Sequence, residues 1–230
     1  MRDSTYIAVW EGTDGSGKTT LMRRVAQILF KRGFKVVTHK TPGAMRSGIF
    51  AVSYGNSPRI SPLSRMLLFL ANTVDETDAM VKKIRRATPH FLFIDRYYLC
   101  SAVYGLALIK HRRGLQDLPS IVELISLLER IGRSDYLAPD IYLIVDVDEG
   151  ERLRRLRGKR GREGVLERDT AFQNMVRAIY DEFSRYRPSQ VIKLLNESNR
   201  LEELADNTAS KLVELRAKAL SAQEERKLNF

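Results

Sequence analysis

Two stretches of this chain, FLFID (Phe91–Asp95) and DIYLIVDV (Asp140–Val147), are apolar at nearly every position and end on or near an aspartate. A strand with one wet face alternates apolar and polar residues. A run without alternation belongs to a strand covered on both faces, the condition inside a parallel sheet sandwiched by helices. Parallel neighbours cannot be joined by a tight turn, so helical crossovers are needed between them. The chain supplies both. TYIAVW (Thr5–Trp10), FKVVTH and QVIKLL read as further strands. Between them, KTTLMRRVAQILFKRG places Leu21, Val25, Ile28 and Leu29 on one helical face, with Gly33 suited to its end. SPLSRMLLFLANTVDETDAMVKKIRRA reads as one long helix or two, with Ser61 as cap and Pro62 in the first turn. SIVELISLLERIG, TAFQNMVRAIYDEF and NRLEELADNTASKLVELRAKAL complete the helical set, and the polar tail 221–230 is expected to fray. The fold class implied is α/β, a doubly wound parallel sheet with right-handed crossovers. With no repeat and no linker, residues 1–230 read as a single domain, interrupted by a mobile glycine- and charge-rich insert, LRGKRGREG (156–164).

Composition removes some partners. The net charge of +11 is scattered over many helices, and the densest basic cluster, RLRRLRGKRGR (Arg152–Arg162), carries no aromatics to stack on bases. Nucleic acid is therefore an unlikely partner, and an Arg- and Glu-rich surface is equally that of a heat-tolerant protein. No apolar run reaches the length of a membrane span and no leader-like segment opens the chain. Cys100 is the single cysteine, which rules out an internal disulfide, fits a reducing compartment and reads as a packed residue. A cytoplasmic location is expected. His39, His90 and His111 are dispersed without metal-ligand spacing.

The sharpest chemical signal follows the first strand. Gly12, Thr13, Asp14, Gly15, Ser16, Gly17, Lys18 and Thr19 fit G-x-x-x-x-G-K-[ST], with a strand before and a helix beginning through Thr20 after. Glycines let successive N–H groups turn inward around phosphate oxygens, and the helix adds the positive end of its dipole. Lys18 is the residue to reach the β- and γ-phosphates of a bound nucleotide, and the Thr19 hydroxyl the one to hold Mg²⁺. Asp95 closes a buried strand and should face the same crevice, where its carboxylate can act on Mg²⁺ or its waters. Arg96, next in the chain, can grip a second phosphate with paired bonds. Asp146 and Asp148 read as turn and helix-cap residues, and Tyr97 and Tyr98 as packing.

At EGTDGSGKTT, LLFLAN, DRYYLCSAVYG and PDIYLIVDVDEGERLRR the chain resembles the thymidylate kinase family, in that family's order and spacing from about Thr5 to the last helix. The resemblance implies a P-loop NTPase-type sheet of five parallel strands, a homodimer, and transfer of the γ-phosphate of ATP to dTMP with Mg²⁺. Carried over residue by residue, Asp14 lies near the acceptor sugar, Arg96 holds the acceptor phosphate, Phe69 stacks on the base, and Tyr104 sits beneath the sugar and disfavours a 2′-hydroxyl. Pro42, Asn72 and Gln173 join the acceptor site. The phosphate loop lacks an arginine, so the missing charge is expected from the lid, at Arg157, Arg160 and Arg162. One departure bears on specificity: Thr73 stands where the family has its thymine-reading arginine. Weak base selectivity, of ~10–100-fold as in an apolar slot, is the expectation. Asp75 either accepts from a base amino group or faces solvent. Two other readings stay open, a kinase for another nucleoside monophosphate and a P-loop protein that binds nucleotide or nucleic acid without transfer.

Overall fold

A computed structural model describes residues 5–57, 59–114, 117–158 and 165–228. Five strands, β1 (Tyr6–Gly12), β2 (Val36–Lys40), β3 (Phe91–Asp95), β4 (Ile141–Asp146) and β5 (Val191–Leu195), form one sheet in the order β2-β3-β1-β4-β5. Every neighbouring pair is parallel. β1 is central, and its register sets Trp10 opposite Asp95 and Gly12 opposite Val145. The phosphate-loop stretch and Asp95 therefore leave the sheet side by side at its carboxyl edge.

Helices cover both faces. On one, α1 (Lys18–Lys31) and α9 (Leu201–Leu228) bury Leu21, Val25, Ala205 and Leu212 against Trp10, Phe93 and Leu143. On the other, α3 (Pro62–Ala87), α4 (Tyr98–Arg113), α5 (Ile121–Ile131) and α8 (Thr170–Tyr186) pack on Ile7, Val9, Ile94 and Ile144. The remaining helices are α2 (Arg46–Gly55), α6 (Glu149–Arg157) and the short α7 (Val165–Arg168). No helix among the described residues is long and apolar enough to cross a membrane.

Local chemistry explains the helix starts. Ser61 accepts from the Ser64 N–H at 3.0 Å and Pro62 takes the first turn, so α3 runs as one 26-residue helix. Ser120 and Glu123 form a reciprocal capping box on α5. Asp148 caps α6 by accepting from Gly150 and Glu151. Helix α9 continues to Leu228 through AQEERKL, which is made of good helix formers with no glycine or proline to stop it. Helix α2 carries Ile49, Phe50, Val52 and Tyr54 exposed, so its apolar residues do not mark a buried face and no periodicity announces it.

Candidate active site

The loop after β1 takes its shape from its glycines. Gly12, Gly15 and Gly17 all have positive φ. A Cβ on Gly12 would run into the Val145 carbonyl, and one on Gly17 into the Asn196 amide. Lys18, 5% exposed, folds back so that Nζ donates to the Gly12 and Thr13 carbonyls at 3.1 and 2.9 Å. Burial, then Arg96, lowers its pKa to about 8, and the nearby acids do not offset this. The hydroxyls of Thr13 and Ser16 are buried without a partner among the described residues. Unspent buried donors in a glycine-rich turn are what a polyphosphate would satisfy. Thr19 Oγ1 donates to Asp95 Oδ2 at 2.7 Å, which sets a hydroxyl and a buried carboxylate together at the loop's inner edge. Hard oxygen donors of this kind suit Mg²⁺, which keeps several waters and needs few protein ligands. No cluster of three or more His, Cys, Asp or Glu side chains with metal-site geometry occurs among the described residues. Thr20 faces solvent on α1.

Among the described residues, Arg96 is one of two non-glycine residues with positive φ, at 68°. Its backbone is clamped there: its N–H donates to Trp10 O at 3.0 Å and its carbonyl accepts from Thr41 Oγ1 at 2.7 Å. A costly backbone state held by its surroundings marks a side chain whose aim matters. That side chain pairs with Asp14, donates to Cys100 Sγ at 2.9 Å, and lies 5.4 Å from the Tyr104 ring centre. The Tyr104 hydroxyl donates to the other Asp14 oxygen at 3.1 Å. Asp14 thus fixes Arg96 and Tyr104 together. Burial raises the Cys100 thiol pKa, which suits a packed residue rather than a nucleophile.

Beside this trio opens a pocket of about 170 Å³. The structure brings Asp14 to it from the loop, Arg96 from the β3–α4 turn, Tyr104 from α4, Phe69, Asn72 and Thr73 from α3, and Pro42 from the β2–α2 turn. Gln173 is not in that wall: its side chain is fully buried and its Nε2 donates to Leu166 O at 3.1 Å, tying α8 to α7. Asp75 is exposed on α3. Arg157 is exposed at the end of α6, and Arg160 and Arg162 lie outside the described residues.

Four residues escaped the sequence reading. Glu11, the first letter of the loop motif, is fully buried and accepts from the backbone N–H groups of Tyr97 and Cys100. Arg152, also fully buried, forks onto Glu149 and donates to the carbonyls of Asp14 and Glu167. Arg155 donates to Ser16 O at 3.1 Å and to Asn196 O at 2.9 Å. Arg65 reaches the pocket from α3, one helical turn before Phe69. Its spacing to Phe69 was the one available signal.

Residues 10–207 match the family model for thymidylate kinase. The chain is 29% identical over 163 residues to a probable thymidylate kinase of Archaeoglobus fulgidus, covering 70% of this chain and 74% of that one. It is 29% identical over 179 residues to a thymidylate kinase of Caldicellulosiruptor saccharolyticus (76% and 79% covered). A probable thymidylate kinase of Pyrococcus horikoshii is 28% identical over 208 residues (86% and 91% covered).

Proposed function

The chain belongs to the thymidylate kinase family, and from that premise we propose that it is a cytoplasmic, single-domain nucleoside-monophosphate kinase that transfers the γ-phosphate of ATP to dTMP, giving dTDP. The observation that carries the reading is the shared wall. Asp14 belongs to the phosphate loop and also anchors Arg96 and Tyr104 in the neighbouring pocket, so a donor bound in one site meets an acceptor bound in the other.

The proposed steps use this chain's own groups. Lys18 leaves the Gly12 and Thr13 carbonyls for the outer phosphates of the donor. Thr19 and Asp95 would hold Mg²⁺, which when bound would supply positive charge against the negative charge that develops during transfer. Arg96 turns its guanidinium to the acceptor phosphate, and Tyr104 lies under the sugar where a 2′-hydroxyl would crowd it. Phe69 offers its ring to the base. The acceptor phosphate is itself the nucleophile, so alignment and charge do the work and no covalent intermediate is needed. Arginines of the 156–164 lid, Arg157 among them, supply the positive charge that the phosphate loop lacks. Assembly as a homodimer is part of the same reading, supported by the exposed apolar faces of α2 and α3.

The test is a coupled assay of ATP with each common monophosphate, run beside Lys18→Ala. Transfer to dTMP that falls at least ~10²-fold in the variant, with the fold intact by circular dichroism, is the expected result. Undiminished turnover in Lys18→Ala would remove the phosphate-loop assignment. Absence of transfer by the unaltered protein would leave a binding protein instead.

A further inference from the structure

Thr73 cannot do what an arginine would do at its position. It is 2% exposed, and its hydroxyl donates to Leu70 O of its own helix at 2.7 Å. No guanidinium reaches the base slot from there. One does reach it from the turn before. We propose that Arg65 reads the base edge of the acceptor, selecting pyrimidines with a carbonyl at C4 over those with an amino group there; this rests on the pocket being the acceptor site.

Three observations converge on Arg65. It lines the same pocket as Phe69, Asn72 and Thr73. Its guanidinium carbon lies 4.8 Å from the Phe69 ring centre, so the stacking platform and the cation form one surface. Its Nε donates to Gly55 O at 3.1 Å, which anchors the group to α2, while its two terminal nitrogens meet no acceptor among the described residues. An arginine four residues before a phenylalanine on a helix is often only a cover for the ring. A cover needs no pocket and no anchor. Here the bond to Gly55 holds the side chain from behind and leaves its outer donors unspent at the cavity.

The chemistry of that surface has a sign. A guanidinium donates and cannot accept, whichever way it turns. Thymine and uracil present an acceptor at position 4, and cytosine presents a donor. Asn72, fully buried, ties this wall to α2 by donating from Nδ2 to Ser47 Oγ at 3.1 Å. With cytosine, the arginine would face a donor and stay unpaired. Such mismatches separate substrates far more than an apolar slot does. Arg65 therefore restores the discrimination that Thr73 gives up, by a different residue on the same helix, and replaces the weak selectivity inferred from Thr73 alone.

The experiment measures kcat/KM for dTMP, dUMP and dCMP in the unaltered protein, in Arg65→Met and in Arg65→Gln, with thermal melts to confirm folding. The unaltered protein is expected to prefer the two 4-carbonyl nucleotides over dCMP by at least ~10³-fold. Each variant should lower the dTMP:dCMP and dUMP:dCMP ratios in parallel by ~10–100-fold, the scale of a charged hydrogen bond, chiefly through KM. An unchanged ratio, or an equal loss on all three nucleotides, would overturn the assignment, since a phosphate-binding or structural arginine does not distinguish bases. Should the unaltered protein transfer phosphate to none of them, the kinase reading fails separately. Calorimetric binding of dTMP against dCMP then decides Arg65 on its own, with equal affinities, or no binding of either, overturning it.

Discussion

Glu11 lies at the carboxyl end of the central strand with no exposed surface. Its carboxylate accepts from the Tyr97 and Cys100 N–H groups at 3.0 and 3.3 Å and from the Tyr180 hydroxyl at 3.1 Å. The first two donors open α4, so an acid on β1 caps the helix that carries Tyr104, just after Arg96. Burial nonetheless raises its pKa to about 7, outweighing Arg96 and the capping donors. The consequence for stability has a definite direction. Between its ordinary 4.5 and about 7, the folded chain keeps a proton on Glu11 that the unfolded chain has released. Stability therefore falls as pH rises through that window, by about 3 kcal/mol from this group. Glu11→Gln cannot titrate, so urea melts at a series of pH values should show the variant gaining on the unaltered protein by that amount across the window. A constant difference would mean that the capping donors cancel burial. Nothing local in the sequence announced this role, because the donors lie 86 and 89 residues away across the sheet.

Helix α6 divides its arginines between two tasks. Arg152 and Arg155 turn inward, bracing the phosphate loop through the carbonyls of Asp14 and Ser16, while Arg157 stands exposed at the C-terminal end of α6. Replacing an inward arginine strips loop carbonyls and removes packing, whereas replacing an outward one touches neither. Arg155→Ala is expected to cost about 1–3 kcal/mol of stability and to raise KM for ATP more than for dTMP. The joint replacement of Arg157, Arg160 and Arg162 by alanine should leave the melt within about 0.5 kcal/mol of the unaltered protein and lower kcat more than it raises KM. A large drop in Tm with kcat unchanged in the triple variant would mark the stretch as scaffold rather than lid. The two kinds look alike in RLRRLRGKR, because helical facing depends on what the loop presents to α6. At this scale the strands were the legible part. FLFID and DIYLIVDV are buried on both faces and read as such, whereas α2 hid because its apolar residues face outward.

Across the whole molecule, what was local was readable and what was assembled was not. The loop Gly12–Thr19 carries its chemistry in consecutive residues, so its motif sufficed. Arg65 joins the pocket only because α2 and α3 pack against each other, bringing Gly55 to its Nε. That same helix pair presents a group of exposed apolar side chains. Ile49, Phe50, Val52 and Tyr54 are 62%, 53%, 43% and 50% exposed on α2, and Leu63 and Leu67 are 45% and 53% exposed on the neighbouring turns of α3. Phe50 and Tyr54 stack at 5.4 Å, giving the patch a flat aromatic centre. A patch of this kind on an otherwise charged surface is expected to be covered, and the proposed cover is the same patch of a second copy in a two-fold, self-complementary contact. The inner side of α3 holds Phe69 and Asn72 in the pocket, so the contact would stiffen the acceptor site from behind. Sedimentation is expected to give twice 26.4 kDa for the unaltered protein and the single mass for Phe50→Glu with Leu67→Glu. The double variant should keep its fold, since both side chains are more than half exposed in the single chain, while its KM for dTMP rises severalfold and its KM for ATP does not. A monomeric unaltered protein at every concentration tested would remove the dimer, and a dimeric double variant would move the contact to another face.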